Sequence, residues 1–152
     1  MPDVDRTNAL AQRLRADTQG ALELFAVYLG ERLGLYRALG DGEPVTSTEL
    51  AERTGIAERY AREWLEHHAA SGLLEADDAA ADPLERRYRM PVEHIPVLVD
   101  VDDVHYQGHR GVDVARTARS LPDVVEAYRA GGARRGSLGS RRDAPSPTGR
   151  ST

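Results

Sequence analysis

The chain has neither cysteine nor lysine among its 152 residues. Without thiols, neither a disulfide framework nor a thiolate metal site can form, and this fits a reducing cytoplasm, the compartment expected here. Long apolar runs are missing as well, so no membrane span is expected, and no charged-then-apolar leader opens the sequence. Positive charge is in deficit. Twenty basic residues against 25 acidic ones leave a net charge of −5 and a pI near 5.5, lacking the basic excess that phosphate binding exploits. A mean hydropathy of −0.53 leaves little apolar material beyond one domain's core, so part of the chain is expected to stay unfolded. The all-arginine usage fits GC-rich codons.

What is present is concentrated between residues 45 and 91. Thr46 and Glu49 form the spacing of a capping box, with Val45 and Leu50 as its hydrophobic staple, so a helix is predicted to begin near Ser47. Gly55 supplies the tight turn after it, because glycine reaches positive φ without steric penalty. A second helix follows, in which Ala61, Trp64, Leu65, His68 and Ala69 recur at helical spacing and form one inward stripe. Gly72 ends it. Leu73 to Glu75 and Tyr88 to Met90 read as two short strands around an acidic tip carrying Asp77, Asp78 and Asp82, three carboxylates expected to be solvated. The prediction is a mainly α fold built on a winged helix-turn-helix, with Leu50, Ile56, Trp64, Leu65 and Leu73 as core anchors.

Residues 1–44 form the N-terminal helical segment. Leu10 and Leu14, then Leu22, Phe25, Ala26, Leu29 and Leu33, keep a 3.6-residue period that fits two helices or one bent near Gly20. Gly30 and Gly34 weaken its end, and close packing against a neighbour would explain both. Leu35 to Leu39 reads as a last short helix stopped by Gly40 to Pro44. Phe25, Tyr28, Leu29 and Leu33 offer more apolar surface than a small winged helix can cover, so a homodimer through the N-terminal helices is expected. Residues 92–131 read as connector helices, with a turn around Ile95, Val97 and Leu98, a solvated stretch at 100–103, and Pro122 opening a second helix with Val124, Val125 and Tyr128. Gly131-Gly132 lacks the context of a phosphate cradle and reads as a linker. Residues 132–152, rich in Gly, Arg, Ser, Pro and Thr, are predicted to be a disordered tail.

The titratable groups support no catalytic or metal assignment. His105 and His109 are four apart beside Asp102 and Asp103, but Gly108 and Gly111 weaken any helix there. His67-His68 is expected to place one ring in the core and one in solvent. Trp64, in register with the stripe, is expected to anchor the core.

Leu33 to Leu39, Leu50 to Gly55, Arg59 to Leu65, Tyr88 to Pro91 with Glu93-His94, and Leu121 to Arg129, in that order, resemble the N-terminal winged-helix domain of bacterial class I S-adenosylmethionine-dependent methyltransferases. The resemblance implies a domain that packs on a Rossmann-like catalytic domain and on a second subunit and helps roof a small-molecule pocket. The implied reaction is methyl transfer, with S-adenosylmethionine held by a glycine-rich turn downstream of these residues. On that basis no catalytic, metal or cofactor-binding residue is expected in this chain, which would be inactive alone. Tyr28, Tyr36, His94 and Tyr106, polar groups on apolar segments, are candidates for lining the substrate side. Past Ala133 the composition is that of out-of-frame GC-rich codons, and a lost reading frame is expected there.

Two competing readings remain. One is a pure interaction module pairing through its N-terminal helices. The other is a winged-helix DNA-binding transcriptional regulator. Against that one, Glu58, Glu63 and Glu66 offset Arg59 and Arg62 on the reading helix, and the wing tip is acidic. In its favour stand Arg86, Arg87 and Arg89 and the tail arginines from Arg134 to Arg150.

Overall fold

Asp3 starts the first helix, α1 (Val4–Leu33), by accepting hydrogen bonds from the amides of Asp5 and Arg6 in the computed structural model, which describes residues 3–78 and 80–131. Of the two arrangements open for this segment, the structure has a single 30-residue helix. Its first half is exposed and its second half packs, with Val27 and Gly30 buried. Gly30 meets the expectation of close packing: a Cβ there would lie 2.5 Å from Tyr36 Cε2 and 2.7 Å from Trp64. Gly34 does not. It caps α1 with φ of 71°, so its role is the left-handed turn into α2 (Leu35–Ala38).

The capping box is present as predicted. Thr46 Oγ1 accepts from the Glu49 amide, and Glu49 Oε2 accepts from the Thr46 amide at 2.7 Å, opening α3 (Ser47–Thr54). Gly55, with φ of 73°, turns the chain into α4 (Glu58–Ala70). The buried Ser47 hydroxyl donates to Glu58 Oε1 at 2.6 Å and so ties the two helices at their starts. Ala61, Trp64, Leu65 and His68 form the buried face of α4, with Ala69 half-buried beside them.

The wing forms one step later than expected. The His68 carbonyl accepts from the amides of both Leu73 and Leu74, holding them in the turn that ends α4, so β1 comprises only Glu75–Ala76. It pairs antiparallel with β2 (Tyr88–Arg89), Glu75 opposite Arg89 and Ala76 opposite Tyr88. Val45 bridges to the other edge of β2, exchanging two 2.8 Å bonds with Tyr88. The wing is thereby fastened to the residue just ahead of α3.

Leu35, Tyr36, Leu39, Val45, Leu50, Leu65, Tyr88 and Met90 are almost fully buried. Of the predicted anchors, Leu50, Trp64 and Leu65 lie in this core, while Ile56 and Leu73 are only half-buried against it. Leu74, at 2% exposure, takes the place expected of Leu73, because the turn aims the second leucine inward.

After a 3-10 turn at Val92–His94 come α5 (Ile95–Leu98), whose Leu98 is buried, and α6 (His109–Ala130). Pro122 does not open a second helix: it lies inside α6. Proline removes one backbone donor, but Ala115, Ala118, Arg119, Glu126 and Ala127 on either side are strong helix formers. The chain divides into two compact units, residues 1–119 and 120 onward. In the second, Leu121, Val124, Val125 and Tyr128 form an exposed apolar face. The predicted disorder of 132–152 and the lost frame near Ala133 fall outside the described residues.

Candidate functional site

The polar centre of the first unit is made by α2 and α4. Tyr36, almost fully buried on α2, reaches His68 on α4, with 2.7 Å between Tyr36 Oη and His68 Nε2. Trp64, one turn before His68, stacks on that imidazole at 4.0 Å between centroids and meets the Tyr36 ring edge-on at 5.2 Å. Its indole N–H donates to the Ala26 carbonyl of α1, which pins the long helix to the bundle. Burial, with the charge of nearby His67 adding to it, lowers the His68 pKa from 6.5 to about 4. Burial, reinforced by Glu23 and Glu31, pushes the Tyr36 phenol well above its usual value. Both groups are therefore neutral. His68 Nδ1 is buried without a hydrogen-bond partner. Which of Tyr36 Oη and His68 Nε2 donates the proton of their bond follows the imidazole tautomer.

The surface of α4 and the wing is electrically self-compensated. Arg59 pairs with Glu63 at 2.9 Å, and Arg62 with Glu58 at 3.3 Å. On the returning strand Arg86, Arg87 and Arg89 pair with Glu66, Glu49 and Glu75. Every arginine that favoured a nucleic-acid surface on these two elements thus has a carboxylate within 4 Å. Asp78 and Asp82 at the wing tip are exposed and accept from the amides of Ala80 and Leu84, which shapes the loop.

Beside the core runs an apolar groove of about 440 Å³ between α1 and α4, lined by Leu29, Leu33, Ile56, Tyr60, Trp64 and His67. Phe25, Leu29 and Leu33 on α1 are 37%, 48% and 46% exposed. Tyr60 and His67 were not singled out as parts of a surface. Their spacing of −4 and +3 from Trp64 on the same helix is the signal that could have found them.

The four substrate-side candidates do not converge. Tyr36 is a core residue. Tyr28 is half-buried, with its backbone where Gly111 of α6 approaches α1. His94 is half-buried, its Nδ1 3.0 Å from the Leu73 carbonyl. Tyr106, half-buried, has its phenol raised by desolvation and by Glu31, to which it is hydrogen-bonded. His67 is exposed and His68 buried, as the adjacent pair required. His105 bonds to Asp103 at 2.8 Å, and its two hydrogen bonds hold that carboxyl below its usual range. Among the described residues no cluster of histidine and carboxylates could hold a metal ion, and no helix is long and apolar enough to cross a membrane. Nor is there a parallel strand leading through a glycine-rich turn into a helix: the described strands are the two-residue pair of the wing. These residues do not fit S-adenosylmethionine.

A family model described as the Rv2258c-like winged HTH domain matches residues 20–99, just over half of the chain. No curated protein sequence matches it. Among solved structures, human N-acetylserotonin methyltransferase in complex with SAM aligns at a TM-score of 0.63 with 18% identity over 80% of this chain and 35% of its own. PigF with SAH aligns at 0.63 with 22% identity over 86% and 37%. The mitomycin 7-O-methyltransferase MmcR aligns at 0.59 with 23% identity over 85% and 36%. The chain therefore spans little more than a third of the length of these three proteins, two of them named as methyltransferases, and the part matched is N-terminal.

Proposed function

Because the chain belongs to the Rv2258c-like winged HTH domain family, we propose that it serves as the dimerisation and substrate-lid domain of an S-adenosylmethionine-dependent small-molecule methyltransferase. The observation that carries this reading is the alignment with the N-terminal third of three proteins, two of them methyltransferases named for small-molecule substrates and the third bound to SAH. The surface agrees with it. A DNA-reading helix gains affinity by releasing counterions from phosphates, and arginines already held by carboxylates would first have to break those pairs. The uncovered apolar stripe of α1 suits a protein partner instead, and a second copy of this chain is the partner proposed. In this role the domain contributes positioning and exclusion of water, while the methyl donor is held elsewhere.

The test pairs light scattering after size exclusion with a gel shift at low and physiological salt. A dimer at micromolar concentration, with no sequence-specific retention of DNA at physiological salt, is expected. Specific retention that survives physiological salt would overturn the reading in favour of a transcriptional regulator.

A further inference from the structure

The outer strand of the wing, β1, leaves one of its residues with an unpaired backbone. Val45 occupies one edge of β2, exchanging both bonds with Tyr88, and β1 occupies the other. Because the Tyr88 N–H and C=O are spent on Val45, Ala76 and Tyr88 form a non-hydrogen-bonded pair, and the Ala76 N–H and C=O point away from β2. The Asp77 amide, one residue on, donates to the Arg87 carbonyl, as this alternation requires. Among the described residues neither backbone group of Ala76 has a hydrogen-bond partner. A free donor and acceptor on a strand edge are a template for one more strand.

Ala76 also lines a cleft of about 820 Å³ between the end of α4 and the wing, whose apolar wall is Ala69, Ala70 and Leu74 and which shares no lining residue with the α1 groove. Ala76 is half-buried, while Glu75 and Asp77 on either side of it are exposed. A strand laid antiparallel along this edge therefore turns the side chain opposite Ala76 toward the cleft and its two neighbours to the outer face, beside Glu75 and Asp77. Those carboxylates decide the partner. A second copy pairing β1 with β1 about Ala76 would set Glu75 against Asp77 twice, and like charges directly opposite are destabilising. Opposite charge fits, and β2 already displays the complement on the inner edge. Its Arg87, Tyr88 and Arg89 stand opposite Asp77, Ala76 and Glu75, with Arg89 on Glu75 at 2.6 Å.

We infer that the outer edge of β1 binds an extended protein segment in which an apolar residue stands between two basic ones, added as an antiparallel strand. The central residue exchanges two backbone hydrogen bonds with Ala76 and lays its side chain on Ala69, Ala70 and Leu74. The flanking cations meet Glu75 and Asp77. Glu75 already shares its charge with Arg89, so Asp77 supplies more of the attraction. No part of the methyltransferase reading enters.

The experiment is an amide NMR titration of the full chain with the peptide acetyl-Thr-Arg-Val-Arg-Thr-amide. Two control peptides accompany it: one with glutamate for both arginines, and one N-methylated at the valine, which keeps both charges but loses the donor to the Ala76 carbonyl. Saturable shifts at amides 74–77 are expected with the arginine peptide, largest at Ala76. The N-methylated peptide should bind weaker by about fivefold or more, the factor of one net hydrogen bond, and the glutamate peptide should give no saturable shift. Asp77→Lys, at an exposed position whose bond to Arg87 is made by the backbone, should weaken the arginine peptide by about threefold or more, because an attraction becomes a repulsion. The proposal is overturned if the arginine peptide gives no saturable shift up to about 10 mM. It is equally overturned if the glutamate or the N-methylated peptide binds as tightly as the arginine peptide, or if Asp77→Lys leaves binding intact.

Discussion

Tyr36 Oη and His68 Nε2, 32 residues apart in sequence, meet at 2.7 Å in the interior, each the other's hydrogen-bonding side chain. The pair fixes the register of α2 against α4, with Trp64 wedged against both rings. Tyr36→Phe keeps the ring and its contacts but leaves His68 Nε2 buried without its hydrogen-bond partner. The expected loss is about 1–3 kcal/mol, read as a lower urea midpoint at unchanged slope. An unchanged midpoint would show that the bond contributes nothing net.

The same histidine predicts how stability follows pH. Its pKa is about 4 in the fold against 6.5 ordinarily, so between these values the unfolded chain binds the proton and the folded chain does not. Stability must therefore rise with pH through that window and fall as acid is added from pH 6.5 to 4. The full span is about 3 kcal/mol from this group. Urea titrations at pH 7, 5.5 and 4.5 read it directly. His68→Gln, though less stable overall, should lose most of this histidine-dependent slope.

Two glycines of one helix should respond with opposite signs. Gly20 has nothing within 4 Å of the position its Cβ would occupy, so Gly20→Ala gains helix propensity and stabilises by about 0.5–1 kcal/mol. Gly30→Ala gains the same propensity but drives a methyl into the rings of Tyr36 and Trp64, which the Tyr36–His68 bond and the Trp64–Ala26 bond prevent from yielding. Overpacking of this kind costs about 1–3 kcal/mol, so a net loss is expected in thermal melts. Stabilisation by both substitutions would contradict the packing described.

How far the fold could be read beforehand depended on the range of the interaction. The Thr46–Glu49 box, the Gly55 turn and the Trp64 stripe are local patterns and were legible. The wing's first strand was displaced because one carbonyl, that of His68, takes the amides of both Leu73 and Leu74, a competition that strand propensity does not register. Pro122 was misplaced because proline is tolerated at helix starts far more often than inside. Tyr36 looked like a pocket residue since its partner lies on another helix.

The capping box offers a check that also involves the wing. Thr46→Ala removes the acceptor for the Glu49 amide at a helix start, where the expected loss is about 1 kcal/mol, or about 4 °C in melting temperature. Glu49 also receives the Thr46 amide, the main reason its carboxyl sits below the usual range, and it holds Arg87 of the wing. Glu49→Gln keeps much of the cap geometry but not the ion pair. It should cost less than Thr46→Ala, since an exposed pair contributes only about 0–1 kcal/mol.

The α1 stripe yields the prediction on which assembly turns. Leu29 and Leu33, one helical turn apart and nearly half exposed, form the rim of the groove that Tyr60, Trp64 and His67 complete. Burying such leucines between two copies is worth about 1.5–3 kcal/mol for each side chain fully covered, and isologous pairing counts each residue twice. Placing a charge at both positions should therefore dissociate a dimer while leaving the core, which neither residue enters, intact. Leu29→Glu with Leu33→Glu is expected to shift the light-scattering mass at about 10 µM from dimer to monomer, with little change in helical circular dichroism. If the wild-type chain is already a monomer at that concentration, the exposed stripe belongs to some other contact, and the dimerisation part of the proposed function falls with it.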